Sequence, residues 1–213
     1  MTPARFERLG SVLCLGAHAD DIEIGCGGTL CKWMEQHPGL SVHWVVFSAT
    51  EPRSAEARQS AERFLESAGE GSVRVLDFRD SFFPYQAEAI KEAVHAIAAE
   101  GSPDLIFTHR PDDAHQDHRV VSELTWCAFR NHAILEYEIP KYEGDLGRPN
   151  VLVELSAQHA QQKVDHLMSA FPSQANKPWY DEETFRSILR LRGLECHSAS
   201  RYAEGFYARK IVM

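Results

Sequence analysis

A chain of 213 residues with 44% hydrophobic and 25% charged side chains can bury one sizeable core, and this composition excludes a disordered, fibrous or coiled-coil protein. The 22 Lys and Arg residues against 31 Asp and Glu give a formal charge of −9, the wrong sign for a general nucleic-acid binder. Five scattered cysteines without a Cys-x-x-Cys pair indicate neither a disulfide framework nor a thiolate zinc site. The N-terminus lacks the apolar core of a signal peptide and the longest apolar run is too short to span a bilayer, so a cytoplasmic protein is expected.

Short β-rich runs alternate with helical patterns, which predicts an α/β protein of one domain over 1–213, with a mostly parallel sheet flanked by helices. Strands are predicted at Val12 to Ala17, Val42 to Phe47, Val73 to Leu76 and Leu105 to Thr108, with weaker signals at Ile134 to Tyr137 and Val151 to Glu154. After the first strand come Gly25, Gly27 and Gly28, but His18 to Asp21 occupies the place a dinucleotide-binding turn needs, and no P-loop is present. No nucleotide cofactor is therefore expected; the glycines are read as letting the backbone pass close to the preceding loop and start the helix that Thr29 continues. Helical stripes follow at Ala57, Ala61, Phe64, Leu65 and Ala68, at Ile90, Val94, Ile97 and Ala98, and at Val120, Val121, Leu124 and Ala128. Two more lie at Val164, Leu167, Met168 and Phe171 and at Phe185, Ile188 and Leu189, beyond an irregular connection from Pro140 to Pro149.

In a doubly wound sheet the ligand crevice lies beyond the carboxyl ends of the strands. There the first strand runs into His18, Asp20 and Asp21, and the fourth into a loop with His109, Asp112, Asp113, His115, Asp117 and His118. Imidazoles and carboxylates without cysteine suit a catalytic Zn²⁺, or a related divalent ion such as Fe²⁺. His18 and Asp21 can converge on one ion from a turn, while of His115 and His118 one can ligate and the other face the cavity from its rim. Asp20 is placed to act as general base, and His115 to protonate a leaving group if Asp113 or Asp117 keeps it cationic and oriented. Structural readings compete: Asp117 as the cap of a helix near His118, Asp20 as the cap of the turn after the first strand. Toward the C-terminus, Arg192, Arg201 and Tyr202 can lie over the pocket, whereas Arg190 reads as an ordinary cation at a helix end.

AHADDIEIGCGGTL at Ala17 to Leu30 and THRPDDAHQDHRVV at Thr108 to Val121 resemble the two signatures of the PIG-L/LmbE-like family of metal-dependent N-deacetylases. The likeness extends to Arg53-x-x-Glu56, to Asp80 after the third strand, and to Tyr202-Ala203-Glu204-Gly205-Phe206. The resemblance implies a Rossmann-like sheet, one zinc ion, and hydrolysis of an N-acetyl group from a small amino sugar or glycoconjugate. By position, His18, Asp21 and His118 match the metal ligands, Asp20 the general base, and His115 the general acid and oxyanion-stabilising group. Arg53 and Asp80 match substrate-holding positions, and Glu204 is the better substrate-binding candidate of the C-terminal segment, beside Arg192 and Tyr202. Ala19 and Ile22 stand where the family commonly has proline and an acid, which fits a divergent branch. A nucleotide-dependent transferase or oxidoreductase and a non-catalytic metal-binding relative are the competing readings. Assembly as a homo-oligomer is compatible with the sequence.

Overall fold

The computed structural model of the chain describes residues 9–211. Strands β1 (Ser11–His18), β2 (Ser41–Ser48), β3 (Glu70–Val75), β4 (Leu105–His109) and β5 (Ala133–Tyr137) run parallel. Beyond them, β7 (Tyr202–Tyr207) lies antiparallel between β5 and the outermost β6 (Val151–Leu155). The order β3-β2-β1-β4-β5-β7-β6 makes one mixed, mostly parallel sheet of seven strands. Helices α1 (Asp21–Gln36), α2 (Arg53–Leu65), α5 (Ala157–Ala170) and α6 (Glu182–Glu195) cover one face, and α3 (Ala87–Glu100) and α4 (Gln116–Ala128) the other.

Strands buried on both faces need apolar side chains at successive positions. In β1, Val12 and Cys14 enter one core while Leu13, Leu15 and Ala17 enter the other; in β2, Val42, Trp44 and Val46 oppose Val45 and Phe47. Phe107 of β4 is wholly buried and stacks on Trp33 of α1, with ring centroids 5.6 Å apart. Its truncation to alanine costs about 3–5 kcal/mol.

Two elements differ from the sequence expectation. Helix α1 begins at Asp21, so its glycines lie inside it rather than ahead of it. A Cβ on Gly25 would sit 2.3 Å from the Tyr137 ring and one on Gly28 2.5 Å from Leu155. The helix can therefore rest on β5 and β6 only because both positions lack side chains. The Tyr202 to Phe206 segment, not predicted as a strand, is most of β7, and its Glu204 is built into α1. The N–H groups of Gly28 and Thr29 donate to Glu204 at 2.9 and 2.6 Å, while Lys163 Nζ donates to the Ile24 carbonyl and to Glu204, each at 2.5 Å. A buried Lys–Glu pair thus satisfies backbone groups in the middle of a helix.

The strand order places the functional end of the molecule. The order in which strands are added reverses at β1, which has β2 and then β3 on one side and β4 and then β5 on the other, although all five run parallel. The loops after β1 and β4 consequently diverge to opposite faces and leave a crevice between them. No helix among the described residues is long and apolar enough to cross a membrane, and all five cysteines are unbridged.

Candidate metal centre

His18 is the last residue of β1, and Asp21 is the first residue of α1, where a carboxylate is favoured by the helix N-terminus. His118 projects from the first turn of α4, which follows β4 across the crevice. The three side chains meet. His18 Nδ1 lies 3.1 Å from His118 Nε2 and 3.4 Å from Asp21 Oδ2, and His118 Nε2 lies 3.5 Å from the same oxygen. Four-coordinate zinc with bonds of about 2.0–2.1 Å needs donors roughly 3.3–3.4 Å apart, so the triangle fits one ion of that size. Burial, with His109 beside it, holds the His118 imidazole down to about 3, which keeps it neutral as a metal ligand must be.

The second layer fixes this triangle. Asp21 Oδ2 accepts from the His18 backbone N–H at 2.7 Å. Asp113 Oδ2 lies 3.0 Å from His118 Nδ1 and 3.0 Å from Lys141 Nζ, a carboxylate–histidine arrangement that orients a ligating imidazole. His109, wholly buried at the end of β4, stacks on His118 with centroids 3.9 Å apart and places Nε2 3.2 Å from Asp21 Oδ2 and 2.9 Å from the Ala17 nitrogen. The sequence reading noted His109 in its loop but gave it no role; its place as the final residue of β4, the strand paired with β1, was the available signal.

Asp20 precedes α1 without capping it through its side chain. Its Oδ1 accepts from Arg53 at 2.8 Å, whereas its Oδ2 is buried with no partner. Burial raises the proton affinity of Asp20, outweighing the Arg53 charge. His115 is the N-cap of α4: its Nδ1 accepts from the Asp117 N–H at 3.2 Å, which leaves the ring proton on Nε2. Its ring stands 4.8 Å from that of His18 and 4.6 Å from that of His118.

Neither carboxylate expected to keep His115 cationic does so. Asp113 is engaged by His118 and Lys141 and touches His115 only through the backbone N–H, at 2.8 Å. Asp117 is turned away, accepting from the N–H groups of Ser81 at 2.6 Å and Phe83 at 3.1 Å and lying 3.3 Å from His18 Nε2. Burial, reinforced by the nearby His18 charge, lowers the His115 pKa, so a neutral hydrogen-bond donor replaces the expected imidazolium.

Of the outlying candidates, Arg53 and Asp80 reach the cluster, Arg53 through Asp20 and Asp80 through an oxygen 3.3 Å from His18 Nε2. The C-terminal candidates do not. Glu204 spends both oxygens on α1 and Lys163. Arg192 is buried and engaged by Glu138 at 2.8 and 2.9 Å, by Glu195, and by the Gly147 carbonyl. Tyr202 sits opposite Leu155 on β7, partly buried against the core, two strands from β4. None of the three reaches the cluster, and the charged groups of Glu204 and Arg192 are engaged within the scaffold.

The PIG-L family profile, described as GlcNAc-PI de-N-acetylase, matches residues 13–129, more than half of the chain. The diacetylchitobiose deacetylase of Thermococcus kodakarensis is 29% identical over 128 residues, which are 54% of this chain and 47% of that protein, so the match spans about half of its length. The solved N,N'-diacetylchitobiose deacetylase from Pyrococcus horikoshii has a TM-score of 0.71 at 25% identity, covering 95% of this chain and 85% of that one. The 4-carboxy-2-hydroxymuconate hydratase GalB from Pseudomonas putida KT2440 has a TM-score of 0.74 at 20% identity, covering 96% of this chain and 98% of that one. That likeness is one of fold, and it shows the scaffold serving more than one chemistry. With both signatures facing one crevice and the family profile running from β1 to the end of α4, this chain belongs to the PIG-L (LmbE-like) family of de-N-acetylases.

Proposed function

We propose that this chain is a divalent-metal-dependent hydrolase, with zinc the first choice and Fe²⁺ the alternative, that removes the N-acetyl group from an amino sugar or a conjugate containing one. The observation that carries this reading is the convergence of His18 Nδ1, Asp21 Oδ2 and His118 Nε2 beside a buried, unpartnered Asp20 oxygen. An ion held by those three residues would supply a Lewis acid for the acyl carbonyl and acidify water in the pocket.

The protein's own groups carry the proton traffic. Asp20, anchored by Arg53 through one oxygen, takes a proton from the attacking water on the other as the water oxygen bonds to the acyl carbon. His115 donates its Nε2–H to the oxygen that gains negative charge, a contact worth more in the transition state than in the ground state. The carbon–nitrogen bond then breaks, the proton on Asp20 passes to the departing nitrogen, and acetate and a free amine result. In this reading Arg53 and Asp80, which border the cluster through Asp20 and His18, hold sugar hydroxyls. The relatives acting on diacetylchitobiose suggest an N-acetylated sugar as first substrate to try.

The test is metal analysis of the purified protein together with acetate release from a panel of N-acetylated amino sugars, before and after chelation. Acetate release that disappears with the chelator and returns with one equivalent of zinc supports the proposal. Full turnover in the stripped protein contradicts it.

A further inference from the structure

The irregular connection between β5 and β6 carries two charges that neither the core nor the proton traffic uses. Within it a tight turn runs from Lys141 to Asp145. The Gly144 N–H donates to the Lys141 carbonyl at 3.3 Å, and Gly144 has a φ of 62°, a left-handed conformation that favours glycine. The turn brings the two charged side chains together, with Lys141 Nζ 2.8 and 2.9 Å from the Asp145 oxygens. Only 9% of the Lys141 side chain is accessible, and lysine is rarely so covered unless its charge is paired.

The turn is fastened to the loop that follows β4. Asp145 Oδ2 accepts from the Ala114 N–H at 2.7 Å, and the Asp145 carbonyl accepts from Arg110 at 3.0 Å. Lys141 Nζ donates at 3.0 Å to Asp113 Oδ2, the same oxygen that lies 3.0 Å from His118 Nδ1. The other oxygen of Asp113 accepts from the His115 N–H at 2.8 Å, which fixes the carboxylate in this orientation. One oxygen therefore stands between an ammonium and an imidazole of the metal triangle. Charges alternate along the row from Asp145 through Lys141 and Asp113 to His118.

A carboxylate on the far nitrogen of a ligating imidazole makes the near nitrogen a stronger donor. A cation on that carboxylate takes part of the negative charge back, and a second carboxylate on the cation limits how much it takes. We propose that Lys141 and Asp145 set the donor strength of His118: Lys141 weakens His118 as a metal ligand through Asp113, and Asp145 offsets Lys141. Both are positioning residues that act through Asp113. The consequence is an ion less neutralised by its own ligands, and so a stronger Lewis acid toward an acyl carbonyl. The inference rests on the proposed metal site and adds the charges that regulate it.

Zinc affinity, read by competition with a chelator, tests this without turnover, because the two charges are expected to move it in opposite directions. Lys141→Met should bind zinc roughly 3- to 10-fold more tightly, a fraction of the roughly 10–100-fold that the carboxylate partner is worth, while Lys141→Arg stays within about twofold. Asp145→Asn keeps an acceptor for the Ala114 N–H but leaves the ammonium to Asp113 alone, and should bind roughly 2- to 5-fold more weakly. A residue that only fastened the loop would lose affinity in Lys141→Met and change nothing in Asp145→Asn. Thermal unfolding of the ion-free variants checks that each is folded. Equal or weaker binding in folded Lys141→Met, or tightening in Lys141→Arg as large as in Lys141→Met, overturns the proposal. Should Lys141→Met fail to fold, Asp145→Asn decides, and unchanged or tighter binding there overturns it. The expected pattern in a protein that releases no acetate from any sugar supports these roles and overturns the hydrolase reading alone; a parent protein that binds no zinc overturns both.

Discussion

Two groups of buried charges lie within this fold and are built differently. Beneath α1, Lys163 and Glu204 answer each other and the helix backbone, and on the neighbouring wall Arg192 is met by Glu138, Glu195 and a carbonyl. Between the ends of β1 and β4, by contrast, two imidazole nitrogens and a carboxylate oxygen point at one another, and an oxygen of Asp20 points at nothing. Uncompensated buried charge is costly, and a fold tolerates it where another species completes it. Saturation marks scaffold; convergence without saturation marks a site. The Lys163–Glu204 pair has the same residue types a catalytic pair might have, and only the count of its partners separates it from one.

Substitutions can break that contrast. The largest effect is expected at His118→Ala, which removes a ligand and takes metal content and turnover down together; a variant with normal zinc and normal acetate release would remove His118 from the metal set. Asp20→Asn should keep its metal and lose about 10²- to 10⁴-fold in kcat, since it deletes the base without touching the triangle. Metal analysis alongside steady-state kinetics checks both halves of that expectation. On the saturated side, Glu204→Ala leaves Lys163 buried without its partner and frees two N–H groups of α1. A loss of about 3–5 kcal/mol in urea unfolding is expected, with kcat per folded molecule unchanged. A stable Glu204→Ala protein with a raised KM would return Glu204 to the substrate.

Smaller effects sharpen the picture. Asp113→Asn should weaken metal binding by about 10–100-fold, measured by competition with a chelator, because Asp113 orients His118 without ligating. The pH dependence of metal binding has a definite sign. Burial opposes charge on His18, but Asp117, Asp21 and Asp80 outweigh it and raise its pKa well above the ordinary histidine value in the ion-free protein. An ion must displace that proton, so apparent affinity should rise by up to about tenfold per pH unit through neutral pH and level off above the raised pKa. A flat titration would contradict His18 as a ligand.

Much of this was readable from the chain. Alternating patterns locate β1, β2, β4 and five of the six helices, and the spacing within His18 to Asp21 and His115 to His118 suffices to predict convergence once both segments follow parallel strands that are neighbours. What escaped depends on distant partners. The start of α1 was hidden by glycines whose reason is Tyr137 and Leu155, more than a hundred residues away. Strand β7 was hidden because Gly205 and Glu204 lower its strand propensity, while its stability comes from β5 and β6 on either side. Glu204 looks functional in sequence because it lies in a segment that resembles the family, and Arg192 because it can lie over the pocket; the structure pairs Glu204 with Lys163 and Arg192 with Glu138 and Glu195.

The central claim is that one ion joins His18, Asp21 and His118. Anomalous diffraction at the zinc absorption edge, from crystals grown with one equivalent of zinc, tests it most directly. The convergence predicts a single strong peak about 2.0–2.2 Å from His18 Nδ1, an Asp21 oxygen and His118 Nε2. A peak coordinated by other residues, or none between these three side chains, would contradict it.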